Sequence, residues 1–163
     1  MEIDMKIPEA EINLQRKLEW LNRFDSRVAF AAGSIITMLG VLANASASIA
    51  EWNWYLYLIL GATGALLFAS LILVYMTQYP KTTSQNSSLI YFGTIATLKF
   101  DEFRKRTKER SSEEYLDDLL CQIHINAQIL RKKFSNLKIA LILLGIAIIP
   151  WLTSIFLSKI YVK

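Results

Sequence analysis

Three uncharged apolar blocks interrupt a chain that is otherwise rich in charge. Val28–Ala50 runs for 23 residues without an ionisable group, Trp52–Pro80 is likewise uncharged with its apolar centre at Leu56–Met76, and Ile139–Ser158 adds 20 more. A helix needs about 20 apolar residues to cross the hydrocarbon core of a bilayer. The pattern therefore predicts transmembrane helices over residues 28–50, 54–79 and 139–158. A soluble core would show amphipathic stripes rather than unbroken runs.

The intervening segments carry a different periodicity. From Pro8 to Phe24, apolar Ile12, Leu14, Leu18, Leu21 and Phe24 alternate with Glu9, Glu11, Arg16, Lys17, Glu19 and Arg23. This predicts an amphipathic helix within residues 1–27, with Pro8 in its first turn, leading into the first span. A membrane-surface or bundle-packing helix is the simpler reading, and a dedicated partner site the alternative. Residues 80–88 read as a polar loop. Leu89–Phe100 is apolar but too short to span, which predicts a helix or turn lying against the bundle or the interface. Lys99–Arg110 then packs six basic residues into twelve.

A helix start follows. Ser111-x-x-Glu114 fits a capping box. Glu113, Glu114, Asp117 and Asp118 lie early, and Arg131, Lys132 and Lys133 late, as the helix dipole favours. Leu116, Leu119, Leu120, Ile123, Ala127, Leu130, Phe134 and Leu137 recur at spacings of three and four. They predict one long apolar face with no breaker before Gly145, so the helix can run unbroken into the third span. The expected fold class is an all-α membrane protein: three transmembrane helices, an amphipathic N-terminal helix, and a helical segment over residues 80–138.

Charge orients this plan. Sixteen of the 18 basic residues precede the first span or lie between the second and third; only Lys159 and Lys163 follow the last. The positive-inside rule puts the N-terminus and residues 80–138 in the cytoplasm and the short tail 159–163 outside. The bilayer expected is the bacterial inner membrane. Trp52, Trp54, Tyr55 and Tyr57 would mark the outer interface, and Tyr75 and Tyr79 the inner one. The charged N-terminal stretch and the long first apolar block argue against a cleaved secretory leader.

No span contains Asp, Glu, Lys, Arg or His. Such residues usually mark ion pathways and proton relays, so a transporter or selective channel built within one chain is disfavoured. For helix packing, Gly61-x-x-x-Ala65-x-x-x-Ala69 in span two and Gly33 in span one place small residues four apart, where another backbone can approach. Pro150 removes a backbone donor in span three and predicts a kink near Ile146. Catalytic chemistry has no foothold: there is no phosphate loop, nucleophile elbow or HExxH pattern. The lone Cys121 and lone His124 suggest neither a disulfide nor a metal cluster. No catalytic residue, metal or cofactor is expected.

Three stretches, in order, carry a family resemblance. They are Phe24-Asp25-Ser26-Arg27-Val28-Ala29, then Ser88-Leu89-Ile90-Tyr91-Phe92-Gly93-Thr94-Ile95, then Tyr115-x-x-Asp118-Leu119-x-x-Gln122-Ile123 followed by Asn126, Ile129, Lys133 and Phe134. Together they resemble the transmembrane effectors of the Pycsar antiphage systems across most of the chain. Thr94 stands where the family pattern has an acidic residue, a departure that bears on ligand or trigger.

The resemblance implies a function. A cyclase makes a cyclic pyrimidine mononucleotide during phage infection, and the effector answers by damaging the inner membrane, so that the infected cell stops growing or dies. A basic cytoplasmic segment suits an anionic nucleotide. Three uncharged spans cannot enclose water alone, so a homo-oligomer in the lipid bilayer is expected; a nucleic-acid polymer is not an expected partner. The ligand-binding candidates are Lys99 and Arg104 for a phosphate, Tyr91 or Phe92 to stack on a base, Gln122 and Asn126 to read base edges, and Arg131 to close the site. Asp25 and Arg27 are candidates to couple the sensor to span one. Each also has a simpler structural reading: Tyr91 and Phe92 as interface anchors, Asn126 as a register device, Asp25 with Arg27 as a junction ion pair. Two other functions remain open: a regulatory membrane subunit docking a partner on the Leu116–Leu137 face, and a holin-like lysis protein.

Overall fold

The computed structural model describes residues 2–79 and 88–161. Five helices follow one another: α1 Glu2–Ala47, α2 Trp54–Gln78, α3 Phe92–Ile95, α4 Phe100–Glu109 and α5 Ser112–Ile160. Helix accounts for 88% and no strand occurs among the described residues, so the fold is all-α. Three helices, α1, α2 and α5, are long and apolar enough to cross a membrane. Most of the expected polar loop, residues 80–87, and the last two residues of the tail lie outside the described residues.

Two expectations about helix ends change. Helix α1 starts at Glu2 and carries Pro8 inside it rather than in its first turn. Proline at this position cannot donate to the carbonyl of Asp4, and its ring crowds that carbonyl, close to the helix start. Lys99–Arg110, expected only as a dense run of charge, contains helix α4. Asp101 and Glu102 occupy its first turn and Arg106 and Lys108 its last, and Arg106 pairs with Glu102 at 2.6 Å. None of its residues is buried, so apolar periodicity had no signal to offer. The capping box forms as expected: the Glu114 N–H donates to Ser111 Oγ at 3.2 Å, and the Ser111 N–H donates to Glu114 Oε2 at 2.9 Å. Helix α5 runs unbroken through Pro150 to Ile160.

The chain divides into two compact units. The first holds α1 up to Arg23 and the described residues from Ser88 to Lys132; the second holds Phe24–Tyr79 and the chain from Lys133 onward. These divisions fall before the hydropathy boundaries at 27/28 and 138/139, because Phe24 and Phe134 already pack edge to face at 4.9 Å within the second unit.

The second unit is a three-helix seam. Its buried residues on α1 are Phe24, Val28, Ala31, Ile35, Leu42 and Ala45, and on α2 Leu56, Leu60, Thr63, Leu67, Ser70, Val74 and Thr77. On α5 they are Leu137, Ala140, Ala147, Ser154 and Ser158. Steps of three, four and seven are the heptad spacing of left-handed helix packing. Hydroxyl groups join the helices. Ser70 Oγ donates to the Ala140 carbonyl at 2.8 Å, Thr63 and Ser154 hydroxyls lie 3.4 Å apart, and Trp151 Nε1 donates to the Met38 carbonyl at 3.0 Å. At one end the Ala50 N–H donates to the Tyr161 carbonyl at 3.1 Å, and the Tyr55 and Tyr161 hydroxyls bond to each other.

The small-residue positions do not make this contact. Gly33, Gly61, Ala65 and Ala69 are all exposed, and a Cβ added at Gly33 or Gly61 would meet nothing within 4 Å. The helices of one chain meet along the heptad seam instead, where leucines fill space and hydroxyls bond across.

Candidate functional site

In the first unit, several polar groups interact around two residues, Ser88 and Asp118. Ser88 is buried. Its Oγ accepts from the backbone N–H of Ile90 at 3.2 Å and of Tyr91 at 3.1 Å, which ties down the start of the short α3. The same oxygen accepts from Gln122 Nε2 at 3.1 Å, joining this segment to α5. One turn earlier on α5, Asp118 Oδ2 accepts from the Leu89 N–H at 3.0 Å and from the Arg110 guanidinium at 2.6 Å. The side chains of Arg110 and Asp118 are only 13% and 9% exposed, so this pair is shielded from screening by water.

Arg110 is the hinge of the arrangement. It ends α4, donates a further bond to the Glu114 carbonyl at 3.0 Å, and lies over the Tyr115 ring at 5.0 Å. The Tyr115 hydroxyl donates to Glu11 Oε1 on α1 at 2.7 Å. That bond, followed by partial burial, raises the Tyr115 phenol above its ordinary value. Charge-assisted hydrogen bonds thus join the Leu89 backbone, Asp118 and Arg110, a cation–π contact carries the series to Tyr115, and the Tyr115 hydroxyl carries it to Glu11.

A cleft of about 490 Å³ opens beside this network, lined by Leu89, Arg106, Glu109, Arg110, Glu114, Asp117 and Asp118. Its size falls in the roughly 300–1,000 Å³ range of small-molecule sites. Two guanidiniums face four carboxylates there. Among the described residues no group of three or more His, Cys, Asp or Glu side chains is placed to hold a metal ion.

The residues singled out from the sequence are only partly brought together. Tyr91 and Gln122 meet through Ser88, and Asn126 Nδ2 donates to the Gln122 carbonyl at 2.9 Å. Gln122 is buried and its amide is engaged inside the fold. Phe92 is exposed, with its ring 4.7 Å from that of Tyr91. Lys99, Arg104 and Arg131 are exposed and do not line the cleft. A Cβ added at Gly93 would collide with the Tyr91 ring, which would have to move to make room. Thr94 is buried, so the position at which the resemblance lacks its acid faces inward.

In the second unit, Asp25 pairs not with Arg27 but with Lys133, at 3.9 Å. Lys133 Nζ also lies 5.6 Å from the centre of the Phe24 ring, the residue next to Asp25 in sequence. Sequence reading passed over Arg106, Arg110 and Ser88 as site residues. Ser88 and Asp118 stood in the stretches that carry the resemblance, which was the available signal; Arg110 was one of six bases in a run.

The family comparison agrees with these stretches. A family model described as the Pycsar effector protein domain matches residues 9–158 of the chain. No curated protein and no solved structure matches it.

Proposed function

The chain belongs to the Pycsar effector family, membrane proteins of antiphage defence, and from that premise we propose that it breaches the bilayer when a cyclic pyrimidine mononucleotide binds its first unit. The observation that carries this reading is the Arg110–Asp118 clasp at the edge of a cleft of small-molecule size. The lining of the cleft has more carboxylates than guanidiniums. A cyclic phosphate can therefore enter only by competing with Asp118 for Arg110, and Arg106 stands beside it to share the charge. The same Asp118 oxygen holds the Leu89 N–H. Loosening Asp118 thus releases the segment that leads into α3, and the signal reaches α5, which continues into the third apolar stretch.

The basic unit lies in the cytoplasm in this reading and the chain ends outside, as the placement of lysine and arginine favours. The bilayer is the bacterial inner membrane. Because the spans carry no Asp, Glu, Lys, Arg or His, a water path needs several copies, and the effector works as a homo-oligomer with no catalytic step. The long apolar face from Leu116 to Leu137 supports this reading over a partner-docking subunit. Leu119 and Leu137 are buried, Leu116, Ile123, Ala127, Leu130 and Phe134 are half-buried, and Leu120 alone of the stripe is exposed, so the fold itself uses most of that face.

The test is dye release from liposomes holding the purified protein, with cyclic mononucleotides and cyclic oligonucleotides added separately. Release with a cyclic pyrimidine mononucleotide, lost in Arg110→Gln and reached at lower nucleotide concentration in Asp118→Asn, is the expected result. Silence with every nucleotide, in protein shown to be folded and oriented, would replace this reading with a partner-controlled membrane subunit. Release with no nucleotide at all would point to a holin-like protein.

A further inference from the structure

The second unit has a groove that nucleotide sensing does not use. It measures about 740 Å³ and is lined by Ser26, Arg27, Phe30, Phe134, Leu137, Lys138, Leu141 and Ile142. Arg27 is the last charged residue before the first apolar block, and Lys138 the last before the third. The apolar lining follows one turn deeper on each helix, with Phe30 three residues beyond Arg27 and Leu141 and Ile142 three and four beyond Lys138. One turn is about 5.4 Å. The headgroup layer on one side of a bilayer is roughly 5–8 Å thick. Cations and apolar side chains are thus spaced as headgroup and acyl chain are.

The charge balance also points one way. No carboxylate lines the groove, and the nearest in sequence, Asp25, is drawn to Lys133. Arg27 and Lys138 make no side-chain hydrogen bond or ion pair with a described residue. Two cations left without a protein anion, above an apolar channel in a membrane protein, call for an amphiphile with a negative head.

We propose that this groove is a binding site for an anionic phospholipid, its phosphate held by Arg27 and Lys138 and one acyl chain laid along Phe30, Leu141 and Ile142. The lipid joins the points at which α1 and α5 enter their apolar stretches. It therefore braces the helix pair, independently of whether a nucleotide binds the first unit. A soluble phosphate compound has no use for the apolar floor, and a zwitterionic lipid brings its own cation against Arg27 and Lys138.

The test uses the full chain in detergent, mixed with equal amounts of phosphatidylglycerol and phosphatidylcholine, with bound lipid counted by native mass spectrometry. The expected result is selective retention of phosphatidylglycerol. Since each basic residue near an anionic lipid surface is worth about a fivefold change in occupancy, the Arg27→Gln/Lys138→Gln pair should lose roughly 25-fold. The Lys105→Gln/Lys108→Gln pair on α4, with the same loss of charge, should retain it. Ile142→Trp fills the groove while leaving both cations in place and should also reduce retention, which keeps the proposal testable if the charge variant does not fold. Equal retention of the two lipids would overturn it. So would undiminished retention in Ile142→Trp, or displacement of the lipid by inorganic phosphate alone. Silence in the dye-release experiment would leave this result untouched, so the two proposals fail separately.

Discussion

The two units are both built of helices and differ most in what they expose. In the first, apolar residues point inward: Leu119 is 2% exposed while its neighbour Leu120 is 50% exposed, and charges cover the outside of α4. In the second, apolar side chains such as Phe24, Ile35 and Leu67 point inward together with hydroxyls, and apolar side chains cover the outside as well. Thr63, Ser70 and Ser154 are fully buried while Phe30, Leu58, Phe68, Ile149 and Phe156 face out. Water drives the first arrangement by expelling apolar surface. Lipid tails offer no such drive, because they are as apolar as leucine. Packing and bonds between helices decide there instead. Burial of a side chain therefore means different things at positions a few turns apart on α5.

The largest expected effect separates inside from outside in the first unit. Leu119→Ala should cost about 2–5 kcal/mol, as truncation of a buried leucine does, while Leu120→Ala should change stability far less; chemical unfolding followed by Tyr and Trp fluorescence measures both. Equal costs would mean that the first unit is not built around Leu119. A charge separates the units from each other. Ile149→Lys, at an exposed position midway along the third apolar stretch, should reduce insertion by about 2.5–3.5 kcal/mol. Leu120→Lys, also at an exposed position, should stay within about 0.5 kcal/mol. Insertion assays with reporter tags at the chain end would read the difference, and tolerance of Ile149→Lys would place that face in water.

Smaller effects sharpen the contrast in hydrogen bonding. Ser111→Ala removes the cap of α5 and should cost about 1 kcal/mol. Ser70→Ala removes a hydroxyl–carbonyl bond between helices and should cost about 0.6 kcal/mol. Unfolding titrations of the two variants against the parent test the order. The smallest effect is a pH dependence. The Tyr115 phenol is raised, first by its bond to Glu11 and then by burial. Its contribution to stability is fully present below the ordinary tyrosine value of about 10 and is lost as pH climbs through the raised folded value. Tyr115→Phe should lower stability at neutral pH, where that contribution is present, and flatten the profile in the alkaline window. A slope that survives the substitution would assign the dependence to another group.

Legibility followed the same division. In the first unit, the Ser111–Glu114 cap and the Leu116–Leu137 stripe could be read because water writes amphipathic order into a sequence. Helix α4 escaped because no residue of it is buried, and its two apolar residues, Phe100 and Phe103, are too few to make a stripe. The site was half legible: the stretches holding Ser88 and Asp118 stood out, but Arg110 could not be told from its five basic neighbours until the fold set it against Asp118. Tyr115 and Glu11, 104 residues apart, had no local signal of their partnership.

The sequence by itself determined that three helices are apolar enough to span a membrane, that charge collects between and before them, and that the chain belongs with the Pycsar effectors. Hydropathy depends on composition within a window, so one chain suffices to read it. Only the tertiary structure decided which face of each apolar helix turns inward. Every face of such a helix is apolar, and the choice rests on the fit of side chains and on bonds such as Ser70 to Ala140. The i, i+4 spacing of Gly61, Ala65 and Ala69 pointed to one face and the packing chose another, because shape and hydrogen bonding across helices are properties of pairs of segments, and no single segment carries them.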